Sequence, residues 1–166
     1  MDFNASTNLF VCLFAFVFKI PGKSYHSISF ESVILFLCNR VFINISCDTN
    51  ILIEFYRGRA DVMEIFSAVG IANLAVSVVT VGELFYGARD KRELRSLREH
   101  ISLLNQIPID EEISNLYLSL LEKYSLSHRL SVPDALIAAT ALHHSIPLYT
   151  LNIKDFRYIS GLSIYP

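Results

Sequence analysis

At 166 residues with 52% hydrophobic content, the chain is long enough to bury one sizeable core and too apolar for extended disorder. A formal net charge of −2 and a pI near 6.2 exclude a bulk polyanion binder, while leaving room for a local basic patch. The three cysteines, Cys12, Cys38 and Cys47, are odd in number and lack metal-ligand spacing, which excludes a disulfide framework or zinc knuckle and fits a reducing, cytosolic (cytoplasmic) setting.

Residues 8–18, "NLFVCLFAFVF", are nearly all apolar but stop at Lys19, Pro21 and Gly22, short of the ~20 residues a spanning helix needs. The leading "MDFNASTN" has an acid and no Lys or Arg, unlike the basic start of a secretory signal. We therefore expect no stable membrane insertion. Residues 24–40 show neither helical nor strand periodicity. We read residues 1–40 as an N-terminal extension, dispensable or non-native sequence from a start codon assigned too early, with a membrane-surface or partner-binding segment as the rival reading.

From Val41 the pattern changes. "VFINISC", 41–47, is a β-branched run that predicts a first strand, followed by a helical stretch over 50–56. A short helix over 60–70 ends at Gly70, and "LAVSVVT", 74–80, predicts a buried strand. A long helix is expected from Val81 to Leu104, its exposed face supplied by "RDKRELRSLREH". "IPI", 107–109, reads as a brief strand, and Asp110 caps the helix that follows, with Glu111 and Glu112 in its first turn. Ser131, Pro133 and Asp134 open another helix, on which the neighbouring His143 and His144 point to different sides and so make no metal finger. "PLYTL", 147–151, is a strand, "IKDFRYI" a turn or short helix, and "LSIYP" a closing strand. Strands alternating with helices imply an α/β fold with a parallel sheet covered on both faces, and a single domain over residues 41–166.

Ligands of such sheets bind beyond the carboxyl ends of the strands. Asp48 follows the first strand, Glu83 the second, Asp134 begins a helix, and Asp155 comes just after the "YTL" strand. Parallel strands would gather all four acids at one edge. Clustered carboxylates repel one another at low dielectric unless a cation holds them, and hard oxygen ligands suit Mg²⁺ or Mn²⁺. The implied chemistry is metal-assisted phosphodiester cleavage. Taken singly, Asp134 also reads as a helix-dipole partner and Asp155 as a loop acid. Glu83, set among Val81, Leu84 and Phe85, and Asp48, directly after an apolar strand, are harder to read as solvated charges.

The segments "CDTNILIEFYRG", "VSVVTVGELFYGA", "SVPDALIAATALHHSIPLYTLNIKDF" and "ISGLSIY" together resemble the PIN-domain family, most closely the VapC-type toxins of toxin–antitoxin pairs. The resemblance covers residues 41–166 with its four motifs in order. It implies a PIN-like three-layer α/β/α fold around a central, mainly parallel sheet of four to five strands. It implies an acidic site of Asp48, Glu83, Asp134 and Asp155 that binds Mg²⁺ or Mn²⁺ for endoribonuclease cleavage, with Asn50 and Thr150 as supporting polar groups. Asn152 would orient Asp155 or contact substrate. It also implies an RNA substrate, a homodimer, and a cognate VapB-type antitoxin whose C-terminal segment lies in a groove near the active site. Leu151 stands where many relatives carry a polar or basic residue, and residues 1–40 are the larger departure, since such toxins begin just before the first strand.

Arg57 and Arg59 after the first motif, and Lys154 and Arg157 around Asp155, are placed to reach phosphates, or are simply solvated charges. The run Arg89, Lys91, Arg92, Arg95 and Arg98, alternating with Asp90, Glu93 and Glu99, is expected to form i,i+3 and i,i+4 pairs on an exposed helix, with RNA guidance as the other reading. A phosphoaspartyl hydrolase would want a second Asp where Asn50 stands, and a nucleotide-binding domain would want a Gly-rich turn that "DTNILIEF" lacks. The competing reading is a catalytically silent PIN-like module that binds RNA or protein.

Overall fold

The structure, a computed structural model, describes residues 45–166. The proposed extension 1–40 and the first four residues of the strand expected over 41–47 lie outside that range. The first described strand, β1 (Ile45–Cys47), is buried on both faces, and helix α1 (Thr49–Tyr56) follows after the single residue Asp48, which caps it by accepting from the Thr49 N–H at 2.6 Å. Helix α2 (Ala60–Val69) ends at Gly70, whose φ of 82° needs a residue without a Cβ. Strand β2 (Leu74–Ser77), helices α3 (Val78–Tyr86) and α4 (Lys91–Ile101), strand β3 (Asn105–Ile107), the long helix α5 (Glu111–His128), helix α6 (Val132–His143), strand β4 (Leu148–Tyr149) and the one-turn helix α7 (Ile153–Phe156) complete the chain.

The strands form one four-stranded sheet in the order β3-β2-β1-β4, and every pairing is parallel. The expected closing strand is reduced to a single parallel bridge between Leu148 and Ile164. One face of the sheet presents Ile45, Cys47, Leu74 and Val76 to a layer that includes Ile51, Leu52, Val62, Phe66, Val81, Leu84 and Ile101. Strand alternation sends Ser46 and its register partner Ala75 to the other face. There Ala135, Ala138, Ala139 and Ala141 of α6 keep the packing helix close, and Ile113, Leu148 and Phe156 fill the rest of that layer. The outcome is the expected three-layer α/β/α arrangement. Among the described residues no helix is long and apolar enough to cross a membrane.

Several boundaries differ from the sequence reading, each for a local reason. "LAVSVVT" is strand only to Ser77, whose side chain accepts from the Val79 N–H at 3.1 Å and turns the β-branched Val78, Val79 and Thr80 into the start of α3. The long helix expected from Val81 to Leu104 is two: α3 closes at Gly87, and Asp90 caps α4 by accepting from the Arg92 and Glu93 N–H groups at 2.8 Å. The "IPI" strand slides back to 105–107, because Pro108 has no N–H to offer the ladder. The basic run forms fewer pairs than expected. Asp90 is engaged as a cap and Glu93 holds Arg89 at 3.0 Å, so among the described residues Lys91, Arg92, Arg95 and Arg98 have no ion-pair partner.

Candidate active site

Parallel β1 and β4 end side by side, and this sets the site. The Asp48 N–H donates to the Tyr149 carbonyl at 2.9 Å, which aligns Asp48 with Thr150, the residue just past β4. Thr150 Oγ1 donates to Asp48 Oδ2 at 2.6 Å, and Asn50 Nδ2 donates to the same oxygen at 2.7 Å. Asn50 uses its other end as well: its Oδ1 accepts from the Leu151 N–H at 3.1 Å. Thr150 Oγ1 in turn accepts from the Asn152 N–H at 2.9 Å, and Asn152 Nδ2 donates to Asp155 Oδ2. A continuous polar chain therefore runs from Asp48 through Thr150 and Asn152 to Asp155, and the side chains of Asn50, Thr150 and Asn152 take part in it as supporting groups.

Glu83 sits on α3, six residues past the end of β2, and accepts from Thr49 Oγ1. Thr49 has no part in the sequence reading, yet it links two of the acids. Its signal was present in "DTN", as a hydroxyl directly after a strand-terminal Asp. Asp134 lies in the first turn of α6, where its N–H donates to Ser131 Oγ at 3.2 Å and its Oδ2 accepts from that hydroxyl at 2.7 Å. Asp134 thus completes a helix cap, and its charge adds to the rise of the Asp48 carboxyl.

Asp48 is 5% exposed. Burial pushes its carboxyl above the ordinary carboxylate range, the hydrogen bonds from Thr150 and the Thr49 N–H pull it down, and the charges of Asp134 and Glu83 add to the rise. The charge of Asp155, with that of Asp134, acts on the Tyr158 phenol, which burial already pushes up. Asp134 thus bears on both Asp48 and Tyr158, while Glu83 bears on Asp48 and Asp155 on Tyr158.

Among the described residues none of the four has a Lys, Arg or His within ion-pair distance, and no three His, Cys, Asp or Glu side chains close into a cage. An all-oxygen set without a cationic side chain and without a tight cage fits a small hard cation that keeps several waters and takes one or two carboxylates directly. The neighbouring Cys47 is not part of this set, since burial, followed by the charge of Asp48, pushes its thiol up to about 12.

The candidate phosphate contacts separate into two kinds. Arg57 is turned back on its own helix, pairing with Glu54 at 2.7 Å, and Arg59 pairs with Asp61 at 2.9 Å. Lys154 and Arg157 are exposed and have no ion-pair partner among the described residues, on the short segment that carries Asp155.

The family model described as the PIN domain matches residues 45–162. The chain belongs to the PIN-domain family. It is similar to Ribonuclease VapC1 of Rickettsia felis, with 32% identity over 125 residues that span 70% of this chain and 91% of the relative. Ribonuclease VapC1 of Methanocaldococcus jannaschii is 30% identical over 124 residues, 71% of this chain and 84% of that protein. Among solved structures, a toxin–antitoxin complex from Klebsiella pneumoniae contains a chain that is 34% identical, superposes with a TM-score of 0.62, and is matched over 94% of its length by 71% of this one.

Proposed function

We propose that the protein is a metal-dependent endoribonuclease of the VapC type, the toxin of a toxin–antitoxin pair. One observation carries this reading: Asp48 is buried, neutralised by no cationic side chain among the described residues, and its carboxyl is raised by the charges of Asp134 and Glu83. Such a group is stable as a set of anions only with a cation among them. Asp48, Glu83, Asp134 and Asp155 are the residues we assign to hold Mg²⁺ or Mn²⁺. When bound, the ion supplies an activated water and stabilisation of charge on the leaving oxygen.

The chain's own residues prepare that site. Thr150 and Asn50 fix the rotamer of Asp48 by donating to Oδ2, and the Thr150 hydroxyl opposes the rise that burial gives the Asp48 carboxyl. Thr49 donates to Glu83 and holds it toward α1, and Asn152 aims Asp155. Lys154 and Arg157 are positioned to meet RNA phosphates next to Asp155, whereas the Glu54 pairing argues against Arg57 in that role.

The antitoxin follows from the toxin–antitoxin neighbour. A groove of about 200 Å³, lined by residues that include Leu52, Phe55, Tyr56, Phe66 and Leu104, offers an antitoxin segment a place to bury apolar side chains. A homodimer is the family expectation, and Leu126, 96% exposed, is apolar surface that a second copy would cover. Cys47, buried and in no disulfide among the described residues, suits a reducing cytosol. We assign the domain to residues 41–166 and regard residues 1–40 as dispensable for it, so that a chain starting at Arg40 keeps its fold and activity.

Inducible expression tests the function. The wild type is expected to arrest growth, and Asp48→Ala and Asp134→Ala are expected to abolish the arrest. Arrest that persists in both variants would mark the domain as a silent binding module.

A further inference from the structure

The ribonuclease reading leaves one cluster of side chains unused. Helix α5 ends at His128, after which Arg129 adopts a left-handed backbone (φ 58°) that turns the chain toward Ser131 and Asp134. On the other side of the site, Tyr158 comes three residues after Asp155. These two segments meet through their rings: His128 and Tyr158 stack with centroids 4.0 Å apart and planes 22° apart. Tyr124, one turn before His128, braces both from below, at 5.7 Å from His128 and 5.3 Å from Tyr158. Its hydroxyl accepts from the Ser160 N–H at 3.3 Å.

The three rings are graded from core to solvent: Tyr124 is buried, Tyr158 half-buried and His128 exposed. His128 is also fixed in orientation, with Nδ1 2.8 Å from Ser127 Oγ. The Tyr158 phenol lies close enough to Asp155 and Asp134 to feel both charges, so the stack stands at the rim of the acid cluster.

A stack joining two segments has a plain structural use, as a tie between the acid-bearing ends of α6 and α7. The surrounding charges point further. Lys123, Arg129, Lys154 and Arg157 are exposed on the same two segments, and among the described residues none has an ion-pair partner. Lys123 Nζ also lies 4.9 Å from the centre of the Tyr124 ring. Lys91, Arg92, Arg95 and Arg98 on α4 are likewise without an ion-pair partner among the described residues; what sets Lys154 and Arg157 apart is that they flank Asp155 on the segment that carries Tyr158. An exposed ring among unpaired cations is the combination that grips single-stranded nucleic acid, the ring taking a base and the cations taking the backbone.

We propose that the His128–Tyr158 stack is a nucleobase platform, on whose outer imidazole face an unpaired RNA base is held while the adjoining phosphates reach the acid cluster. The proposal rests on the ribonuclease reading and adds to it a subsite for one base of a single-stranded substrate.

The test is binding of a short single-stranded RNA to the full-length protein in EDTA, by fluorescence anisotropy, with the RNA intact or made abasic at one position at a time. For the wild type, one abasic position is expected to weaken binding about 5- to 150-fold, the range for loss of one base–aromatic stack. His128→Ala is expected to show that loss on intact RNA and no further loss on the abasic one, and His128→Phe to restore it. In the wild type alone, 2-aminopurine at that position is expected to be quenched on binding. Wild-type binding that is indifferent to every abasic position, or 2-aminopurine unquenched throughout, overturns the platform and leaves the ribonuclease reading standing. So does a His128→Ala loss that is equal on intact and abasic RNA, the mark of a structural tie or of a surface serving a protein partner. Failure of the wild type to bind any of these RNAs overturns the platform, whereas the ribonuclease reading fails only if added Mg²⁺ or Mn²⁺ restores no RNA cleavage.

Discussion

The two halves of the acid edge are built differently. Around Asp48 and Glu83 the side chains are buried or half-buried, and neutral donors (Thr49, Asn50, Thr150) meet the carboxylates. Asp134 and Asp155 are half-buried as well, but beside them stand the Tyr158–His128 stack, with His128 exposed, and the exposed cations Lys154 and Arg157. Low dielectric strengthens every interaction with an ion or a reacting phosphate, so the inner half is suited to chemistry. An exposed ring and exposed cations exchange water for a polymer at little cost, so the outer half is suited to holding substrate. On the proposed function, reaction and recognition would then divide along one sheet edge over a few residues.

Breaking the inner half should have the largest effect. Asp48→Asn is expected to lower kcat by more than about 100-fold, beyond the 10- to 100-fold that loss of an outer partner of a metal ligand brings. The same variant carries a signature in stability. Because the folded-state Asp48 carboxyl is raised above its ordinary 3.8, the folded protein binds the proton more tightly than the unfolded chain. That contribution is fully present below the ordinary value and is lost as pH rises through the folded one. Denaturant unfolding in EDTA should therefore show wild-type stability falling relative to Asp48→Asn as pH increases above 3.8; parallel curves would contradict the buried-charge account.

Thr150→Val sharpens the comparison next, because one hydroxyl serves both halves, donating to Asp48 and accepting from the Asn152 N–H. We expect a loss of about 1–3 kcal/mol in stability, as for buried groups left without a partner, and a kcat lowered about 10- to 100-fold. A loss of stability with unchanged kcat would make the polar chain a structural feature alone.

The smallest effects should fall on the outer cations and should divide by pairing. Lys154→Ala and Arg157→Ala are each expected to raise KM a few-fold and to reduce the salt dependence of RNA binding by about 0.7 in the log–log slope, one phosphate contact's share on a single strand. Arg57→Ala should change activity little and cost no more than about 0.5 kcal/mol, as befits an exposed i,i+3 pair. Equal effects at Arg57 and Arg157 would erase the distinction drawn from the ion pairs.

The sequence was most readable where structure is set by near neighbours. Asp110 and Ser131 cap helices as their position before apolar periodic stretches indicates, and strand-terminal Asp48 falls at the sheet edge because parallel strands end together. Two signals were present but outweighed. Ser77 and Asp90 are both cap residues, yet a β-branched run hid the first and helical charge spacing hid the second. Glu54 likewise stood at i−3 from Arg57, enough to foretell their pairing. What no local pattern holds is the joining of distant segments: Asn50 to the Leu151 N–H, Thr49 to Glu83, His128 to Tyr158. Those contacts exist only once β4 lies beside β1 and α5 ends beside α7, so they had to come from the fold.

The central claim is that the acid edge is one divalent-cation site that cuts RNA. Its most direct test is cleavage of a single-stranded RNA by the purified full-length protein in EDTA, then after Mg²⁺ or Mn²⁺ is added back, with Asp134→Asn alongside. The account predicts no cleavage in EDTA, restoration by either ion in the wild type, and none in Asp134→Asn. Cleavage by the wild type in EDTA, or equal metal-restored cleavage by Asp134→Asn, would contradict it.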